Sequence, residues 1–134
     1  MATQIFLNLP VKDLNKSIEF FTKLGYTFNQ QFTDENATCM IISDTIYVML
    51  LVESYFKTFN TKEIANTKTT VEALLGLSAD SKDAVDKLVD AAVSAGGTQT
   101  KDPQDLGFMY SRTFEDLDGH VWEIFWMNPN HVQG

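Results

Sequence analysis

The chain has 134 residues, 44% of them hydrophobic, which is enough to bury the core of one domain without a disulfide or a structural metal. Its formal net charge of −8 argues against nucleic acid and anionic membrane surfaces as partners, because both are bound by clustered lysine and arginine. Cys39 is the single cysteine, and neither a secretory signal nor an apolar run of membrane-spanning length is recognisable, so we expect a cytoplasmic protein that forms no intramolecular disulfide.

The first part of the chain predicts a strand, a helix and three further strands. Around Leu7, apolar residues alternate with a second set that includes Phe6 and Asn8, which is typical of a strand that uses both faces. Asp13 is placed to cap an amphipathic helix, and Gly25 supplies its C-terminal stop. Short strands are then expected at residues 26–32, 37–43 and 46–52.

A polar, threonine-rich connection follows, from residue 53 to about residue 70. Asn60 and Glu63 have the spacing of a capping box, which predicts a short helix in this connection. Its aromatic residues, such as Tyr55 and Phe59, need a surface to cover. The segment from Tyr55 to Phe59 is therefore either a lid over the mouth of the first module's cavity or part of the ordinary core.

The last part of the chain repeats the first. It predicts a strand at residues 71–79, a helix that stops at Gly96, a strand at 98–101, and a hairpin at 108–127 that turns at Gly119. The fold class that follows is α+β: two βαβββ modules, at about residues 1–55 and 71–128, that form a paired, curved mixed sheet around a cavity within a single domain, residues 1–134. Such a cavity is the natural place for a ligand.

The repeated pattern and three local motifs resemble the vicinal oxygen chelate superfamily, which contains glyoxalase I, bleomycin-resistance proteins and extradiol dioxygenases. The motifs are the Val-Lys-Asp-Leu entry at residues 11–14, the Ala-Gly-Gly exit at 95–97, and residues 114–123. Segments 107–110 and 122–127 are similar to those of bacterial proteins described as predicted lactoylglutathione lyases. The resemblance implies a glyoxalase-like fold with the ligand site between the modules.

In metal-dependent members of the superfamily, four strands each donate one ligand to a divalent metal ion. The resemblance places three of these four positions on residues that are poor ligands: Phe6, Met49 and Leu74. Only Glu123 is retained; His120 has the opposite strand parity, and His131 lies in the C-terminal tail. One carboxylate does not build a transition-metal site, so we expect no metal and no cofactor.

The residues predicted to contact a ligand in the cavity are Phe6, Asn8, Met49, Leu74, Tyr110, Arg112 and Glu123. Glu123 is either a solvated or hydrogen-bonded relic or a catalytic base with a raised pKa. Arg112 is either an ion-pair partner or an anchor for an anionic ligand, and Asn8 is either a sheet-surface residue or an amide contact to the ligand. Tyr110 is expected to form part of the wall.

Three further expectations concern residues with reactive or bulky side chains. Trp122 and Trp126 alternate with Glu123 and are expected to pack against helices. Cys39 is expected to be a buried, inert thiol. His120 follows the hairpin turn and is expected to be a structural residue at the hairpin end; the alternative is an acid–base catalyst.

Two functions remain open. The first is a binding protein that holds a small organic molecule in the cavity and lacks the family metal site. The second is a glyoxalase-like lyase or isomerase in which Glu123 is the base, and a divalent metal belongs only to this alternative. In both cases the resemblance, together with large apolar groups near Trp126, predicts a homodimer.

Overall fold

The protein divides into two compact units, Met1–Ala65 and Asn66–Gly134, in a computed structural model that describes residues 2–130. Each unit contains a four-stranded mixed sheet and one long helix in the order strand, helix, three strands. The predicted fold class, α+β with two βαβββ modules, is therefore confirmed.

Module one contains β1 (Ile5–Val11), α1 (Leu14–Lys23), β2 (Thr27–Asn29), β3 (Ala37–Ile41), β4 (Ile46–Val52) and a short α2 (Glu53–Phe56). Single 3₁₀ turns lie at Gln30–Phe32 and Lys57–Phe59. The sheet has the strand order β1-β4-β3-β2, and β1 runs parallel to β4. The predicted strand at 46–52 is observed with the same bounds, whereas the one at 26–32 ends early because the chain turns after Asn29.

Both predicted ends of α1 are confirmed. The Asp13 side chain accepts a hydrogen bond from the backbone N–H of Lys16, which satisfies one of the donors left free at a helix N-terminus. Gly25 follows the helix with φ of 104°, a conformation that favours glycine. Phe20 and Phe21 are buried in the core beneath the helix.

Module two contains β5 (Leu74–Ser78), α3 (Lys82–Ser94), β6 (Gln104–Asp105), β7 (Met109–Glu115) and β8 (Val121–Met127). Its strand order is β5-β8-β7-β6, with β5 parallel to β8, so it repeats the topology of module one. The side chain of Ser81 caps α3 by accepting from the backbone N–H of Ala84.

Each sheet has two faces of different character. In module one, Leu9, Val48 and Leu50 lie on one face and are almost fully buried, whereas Phe6 lies on the opposite face and is 49% exposed. In module two, α3 covers the face that carries Trp122 and Ile124, and Glu123 lies on the other face. We call the faces that carry Phe6 and Glu123 the open faces of modules one and two.

Two predicted elements lie at other positions than expected, and one of them is the short helix of the connection. No helix begins at Asn60: its side chain accepts from the backbone N–H of Lys62, a local turn that replaces the capping box, and the helical turns lie earlier, at residues 53–59. The strand expected at 98–101 is reduced to one bridge between Thr98 and Glu115, and the fourth strand of module two forms later, at β6. Within residues 2–130, no helix has both the length and the apolar character needed to cross a membrane.

Candidate functional site

The open face of module one brings together three of the predicted site residues. Because β1 and β4 are parallel and in register, Phe6 pairs with Tyr47 and Asn8 pairs with Met49. The Phe6 and Tyr47 rings stack with centroids 4.9 Å apart and planes 12° apart. The Asn8 amide donates one hydrogen bond to the carbonyl oxygen of Phe6 at 3.2 Å, so its second N–H and its side-chain carbonyl oxygen are left for other partners.

Cys39 lies in the same row of this sheet, opposite Met49 on the neighbouring strand. Its side chain is 2% exposed, and burial raises the pKa of the thiol, which disfavours the reactive thiolate. The prediction of a buried thiol is confirmed, and the environment is that of an inert one.

The open face of module two presents the row Gly76–Glu123–Thr113. Gly76 of β5 pairs with Glu123 of β8, which in turn pairs with Thr113 of β7. Side chains directly opposite one another on neighbouring antiparallel strands have Cβ atoms about 4.5–5.5 Å apart, so Glu123 and Thr113 are direct neighbours on this face. Leu74 shares this face, two residues before Gly76, and is 60% exposed.

The polar groups of this row have unused hydrogen-bonding capacity. Thr113 is only 3% exposed, and its buried hydroxyl has no hydrogen-bond partner. An unsatisfied buried hydroxyl costs free energy and is unusual in a native protein. Among residues 2–130, the half-buried carboxylate of Glu123 likewise has no hydrogen bond or ion pair.

Thr113 was not among the predicted site residues. Its parity along β7 matches that of Glu123 on β8 once the register of the hairpin is known. A hairpin turn centred on Gly119 fixes that register, so the signal was present in the sequence.

Glu123 stands beside a space that Gly76 leaves open. A methyl group built on Gly76 would have as its nearest neighbour the Cε1 atom of Phe125, at 3.7 Å, which is an ordinary van der Waals contact. The strand position opposite the carboxylate therefore carries no side chain, and the Phe125 ring lies beside it; we call this open position the notch.

Tyr110 and Arg112 lie on the opposite face of the sheet from Glu123, against α3. Arg112 Nη1 is 3.1 Å from Asp86 Oδ1 and 2.9 Å from Asp90 Oδ1, and the guanidinium also donates twice to Gln99. The ion-pair alternative for Arg112 is thus the one observed, with carboxylates of α3 as partners. The structure does not bring these two side chains together with Glu123.

The Tyr110 side chain is also hydrogen-bonded to α3. Its hydroxyl donates to Asp86 Oδ1 at 2.6 Å, and this hydrogen bond, followed by burial, raises the pKa of the phenol. The ammonium of Lys82 lies 5.9 Å from the Tyr110 ring centroid and 5.7 Å from that of Trp126. Tyr110 and Trp126 therefore help to attach α3 to the sheet. Trp122 is 1% exposed and packs on the α3 side of the sheet, as predicted.

His120 belongs to a buried polar cluster at the start of β8. Its Nδ1 atom lies 2.6 Å from Glu72 Oε1, and its backbone N–H donates to Asp116 Oδ1 at 3.0 Å. Asp116 also accepts from the Trp122 indole at 2.9 Å. Burial raises the pKa of Asp116, against these hydrogen bonds and the nearby His120, which act to lower it. This network holds the hairpin end, in line with the structural interpretation of His120.

The donor set on the open faces does not fit a divalent transition metal. Such an ion needs three or four imidazole, thiolate or carboxylate ligands that converge on one point. In the described part of the chain, no three His, Cys, Asp or Glu side chains are so grouped. The neighbours of Glu123 in its row supply only a hydroxyl and a glycine, and His131 lies outside the described residues.

Comparison with known proteins identifies the fold. Residues 3–43 match the family described as Bleomycin resistance protein-like N-terminal. A glyoxalase-related enzyme from Fulvimarina pelagi superposes with a TM-score of 0.81 at 18% identity, covering 100% of this chain and 94% of that one. The chain has the fold of the glyoxalase and bleomycin-resistance proteins.

Two more solved structures have a similar fold. A hypothetical protein from S. aureus has a TM-score of 0.79 at 27% identity and covers 94% of this chain and 95% of its own. A glyoxalase/bleomycin resistance protein/dioxygenase family enzyme from Burkholderia phytofirmans PsJN has a TM-score of 0.79 at 20% identity, with coverage of 94% and 99%. The predicted resemblance to glyoxalase and bleomycin-resistance proteins is confirmed at the level of the fold. No curated protein sequence matches the chain, and a special closeness to the predicted lactoylglutathione lyases stays a prediction.

Proposed function

We propose that this protein binds a small organic molecule on the open face of module two, without a metal ion, and that Glu123 is the polar anchor. The observation that carries the proposal is the row Gly76–Glu123–Thr113, in which a carboxylate and a buried hydroxyl both lack partners beside a notch. A buried hydroxyl such as that of Thr113 is rarely left without a partner, and a ligand that supplies a hydrogen bond removes the cost.

The remaining predicted residues, apart from Tyr110 and Arg112, are divided between the open faces of the two modules. Leu74 is exposed beside the carboxylate row, and Phe6, Asn8 and Met49 share the open face of module one. Small-molecule sites typically combine many apolar contacts with a few polar groups that set orientation. Tyr110 and Arg112 are left out of the proposal, because their polar groups are bonded to α3 and Gln99.

Backbone amide chemical shifts measured against a panel of small aromatic compounds would test the proposal. We expect at least one compound to shift the amides of Gly76, Thr113 and Glu123 in a saturable way, and Glu123→Gln to weaken its binding. The amides of Asp83 and Lys87 on α3 are the internal control. Saturable shifts confined to α3, or none with any compound, would contradict the proposal.

Absence of a metal is part of the same proposal. Elemental analysis of tag-free protein is expected to show no stoichiometric nickel, zinc, iron or manganese, because the residues around Glu123 offer no further ligands. One tightly held ion per chain that is lost in Glu123→Gln would contradict the assignment of the other three positions.

A second function is a lyase or isomerase with Glu123 as the base, since a half-buried, unpaired carboxylate is suited to accept a proton from carbon. This function is the weaker one, because no Lys, Arg or His of the described strands lies on the open face of either module, where it could stabilise an enediolate. Thioester formation from methylglyoxal and glutathione, assayed with and without added metals, is expected to be negligible. Turnover of about 1 per second or faster would favour the enzyme.

We further propose that the protein is a cytoplasmic homodimer. Ile5, on the edge strand β1, is an apolar side chain that is 49% exposed. Exposed apolar edges are commonly covered by a partner. Sedimentation equilibrium at micromolar concentration is expected to give twice the chain mass of 15.1 kDa, and a single species of the chain mass would reject the dimer.

A further inference from the structure

We infer that the ligand of the open face of module two is an organic amine, bound as its ammonium ion between Glu123 and Thr113. This inference rests on the proposed function and adds the chemical class of the ligand. It is carried by the distribution of charge on the two faces of the sheet and by the unused hydrogen-bonding groups of one row.

The distribution of charge excludes an anionic ligand at this place. Among the residues of β5, β7 and β8 that share the face of Glu123, none is Lys, Arg or His. The only arginine of the chain, Arg112, lies on the other face, where Asp86 and Asp90 neutralise it. An anion beside Glu123 would meet a like charge with no compensation, whereas a cation would neutralise it.

The unused groups match the donors of an ammonium ion. A protonated primary amine has three N–H donors and no acceptor, and the row offers a carboxylate and a hydroxyl oxygen, both without partners. Bonding to a charged acceptor is stronger than bonding between neutral groups. A quaternary ammonium has no N–H and would leave the Thr113 hydroxyl unsatisfied.

The notch at Gly76 provides the space for the ammonium group. It lies directly opposite Glu123 on β5, and the Phe125 ring forms its side. An ammonium placed over an aromatic ring gains a cation–π interaction, which is larger when the site is shielded from water. Any side chain larger than glycine at position 76 would occupy part of this space.

Three probes of the same shape and different charge test the inference: 2-phenylethylamine, 2-phenylethanol and 3-phenylpropanoate, each titrated at pH 7 and followed by the amide shifts of Gly76, Thr113 and Glu123. We expect the amine to bind at least about tenfold more tightly than the alcohol, in line with the strength of hydrogen bonds to charged groups, and the carboxylate more weakly than the alcohol.

Matched variants show which residues cause the preference for the amine. Glu123→Gln is expected to remove the preference for the amine, while Glu115→Gln changes the same charge on the same face one residue pair away and is expected to preserve it. Gly76→Ala is expected to weaken the amine about tenfold with an unchanged thermal midpoint, because the added methyl group makes no close contact in the protein and fills only the notch.

The outcomes separate the inference from the proposed function. The assignment of an amine ligand would be overturned if the alcohol or the carboxylate bound as tightly as the amine. It would also be overturned if Glu123→Gln and Glu115→Gln lost the same amount of affinity for the amine. Either result would leave a binding site for another class of ligand. Failure of all three probes to shift the row, together with failure of the aromatic panel, would overturn both.

Discussion

The imidazole Nδ1 of His120 lies 2.6 Å from the carboxylate Oε1 of Glu72, and this contact joins the segment before β5 to the residue before β8. Because β5 and β8 are neighbouring parallel strands, the Glu72–His120 contact links their two N-terminal ends. A second contact supports it: the Thr67 hydroxyl donates to the carbonyl oxygen of Asp118, beside Gly119. The final part of the connection is thereby attached to the β7–β8 hairpin.

Glu72→Ala is expected to lower the free energy of unfolding by about 2 kcal/mol, because it removes the acceptor that faces a histidine of 2% exposure. Urea unfolding would measure the loss. Glu63→Ala is the matched control, since Glu63 is an exposed residue of the same connection. Equal midpoints for the two variants would show that the Glu72–His120 contact contributes no stability.

The contribution of Asp116 to stability is expected to fall as the pH rises from the ordinary carboxyl range. Burial raises the pKa of Asp116, so the folded protein binds this proton more tightly than the unfolded chain does. The free energy of unfolding must then decrease with pH between the unfolded value, about 3.9, and the raised folded value.

Urea unfolding of the wild type and of Asp116→Asn between pH 4 and pH 7 would test this sign. The wild type is expected to lose stability relative to the variant as the pH rises across the window. A relative gain with rising pH would show that the hydrogen bonds from Trp122 and the backbone outweigh the effect of burial.

Thr113→Val is expected to raise the free energy of unfolding by about 1 kcal/mol in the absence of ligand, because it replaces an unsatisfied buried hydroxyl with a methyl group of similar size. Thr113→Ser keeps the hydroxyl and loses a methyl group, so it is expected to destabilise. Thermal unfolding of both variants checks the two signs. A destabilised Thr113→Val would mean that the hydroxyl is already hydrogen-bonded in solution.

Phe59 is expected to contribute little to the stability of the fold. It is 63% exposed and its described ring contact is with Tyr55, at 5.1 Å, itself 37% exposed. Phe59→Ala should therefore cost less than about 1 kcal/mol, far below the 3 kcal/mol or more of a buried aromatic residue. If this segment is a lid, the same variant weakens binding of the aromatic probes; unchanged affinity would exclude the lid.

Much of the fold could be predicted because its determinants are local. The Asp13 cap, the Gly25 stop and the alternation along β1 and β8 act within one element, so the sequence displays them directly. The errors at Asn60 and at residues 98–101 concern loops, where a side-chain turn or a single bridge competes with regular structure on nearly equal terms.

The site was predicted in part for a different reason. Strand parity placed Phe6, Asn8 and Glu123 on their faces, but which side α3 covers is decided by packing between elements. Asp86 and Asp90 lie far from Arg112 in the sequence, so their ion pairs with its guanidinium could not be predicted from the sequence. The unsatisfied hydroxyl of Thr113 is likewise a property of the packed structure alone.

The two sheets show how a duplicated backbone acquires two chemistries. The position of Asn8, Met49 and Cys39 across module one is that of Gly76, Glu123 and Thr113 across module two. One copy presents polarisable sulfur atoms and an amide, and the other presents a carboxylate and a hydroxyl. The two rows therefore differ in chemistry at all three positions, while the buried residues beneath the helices keep the shared architecture.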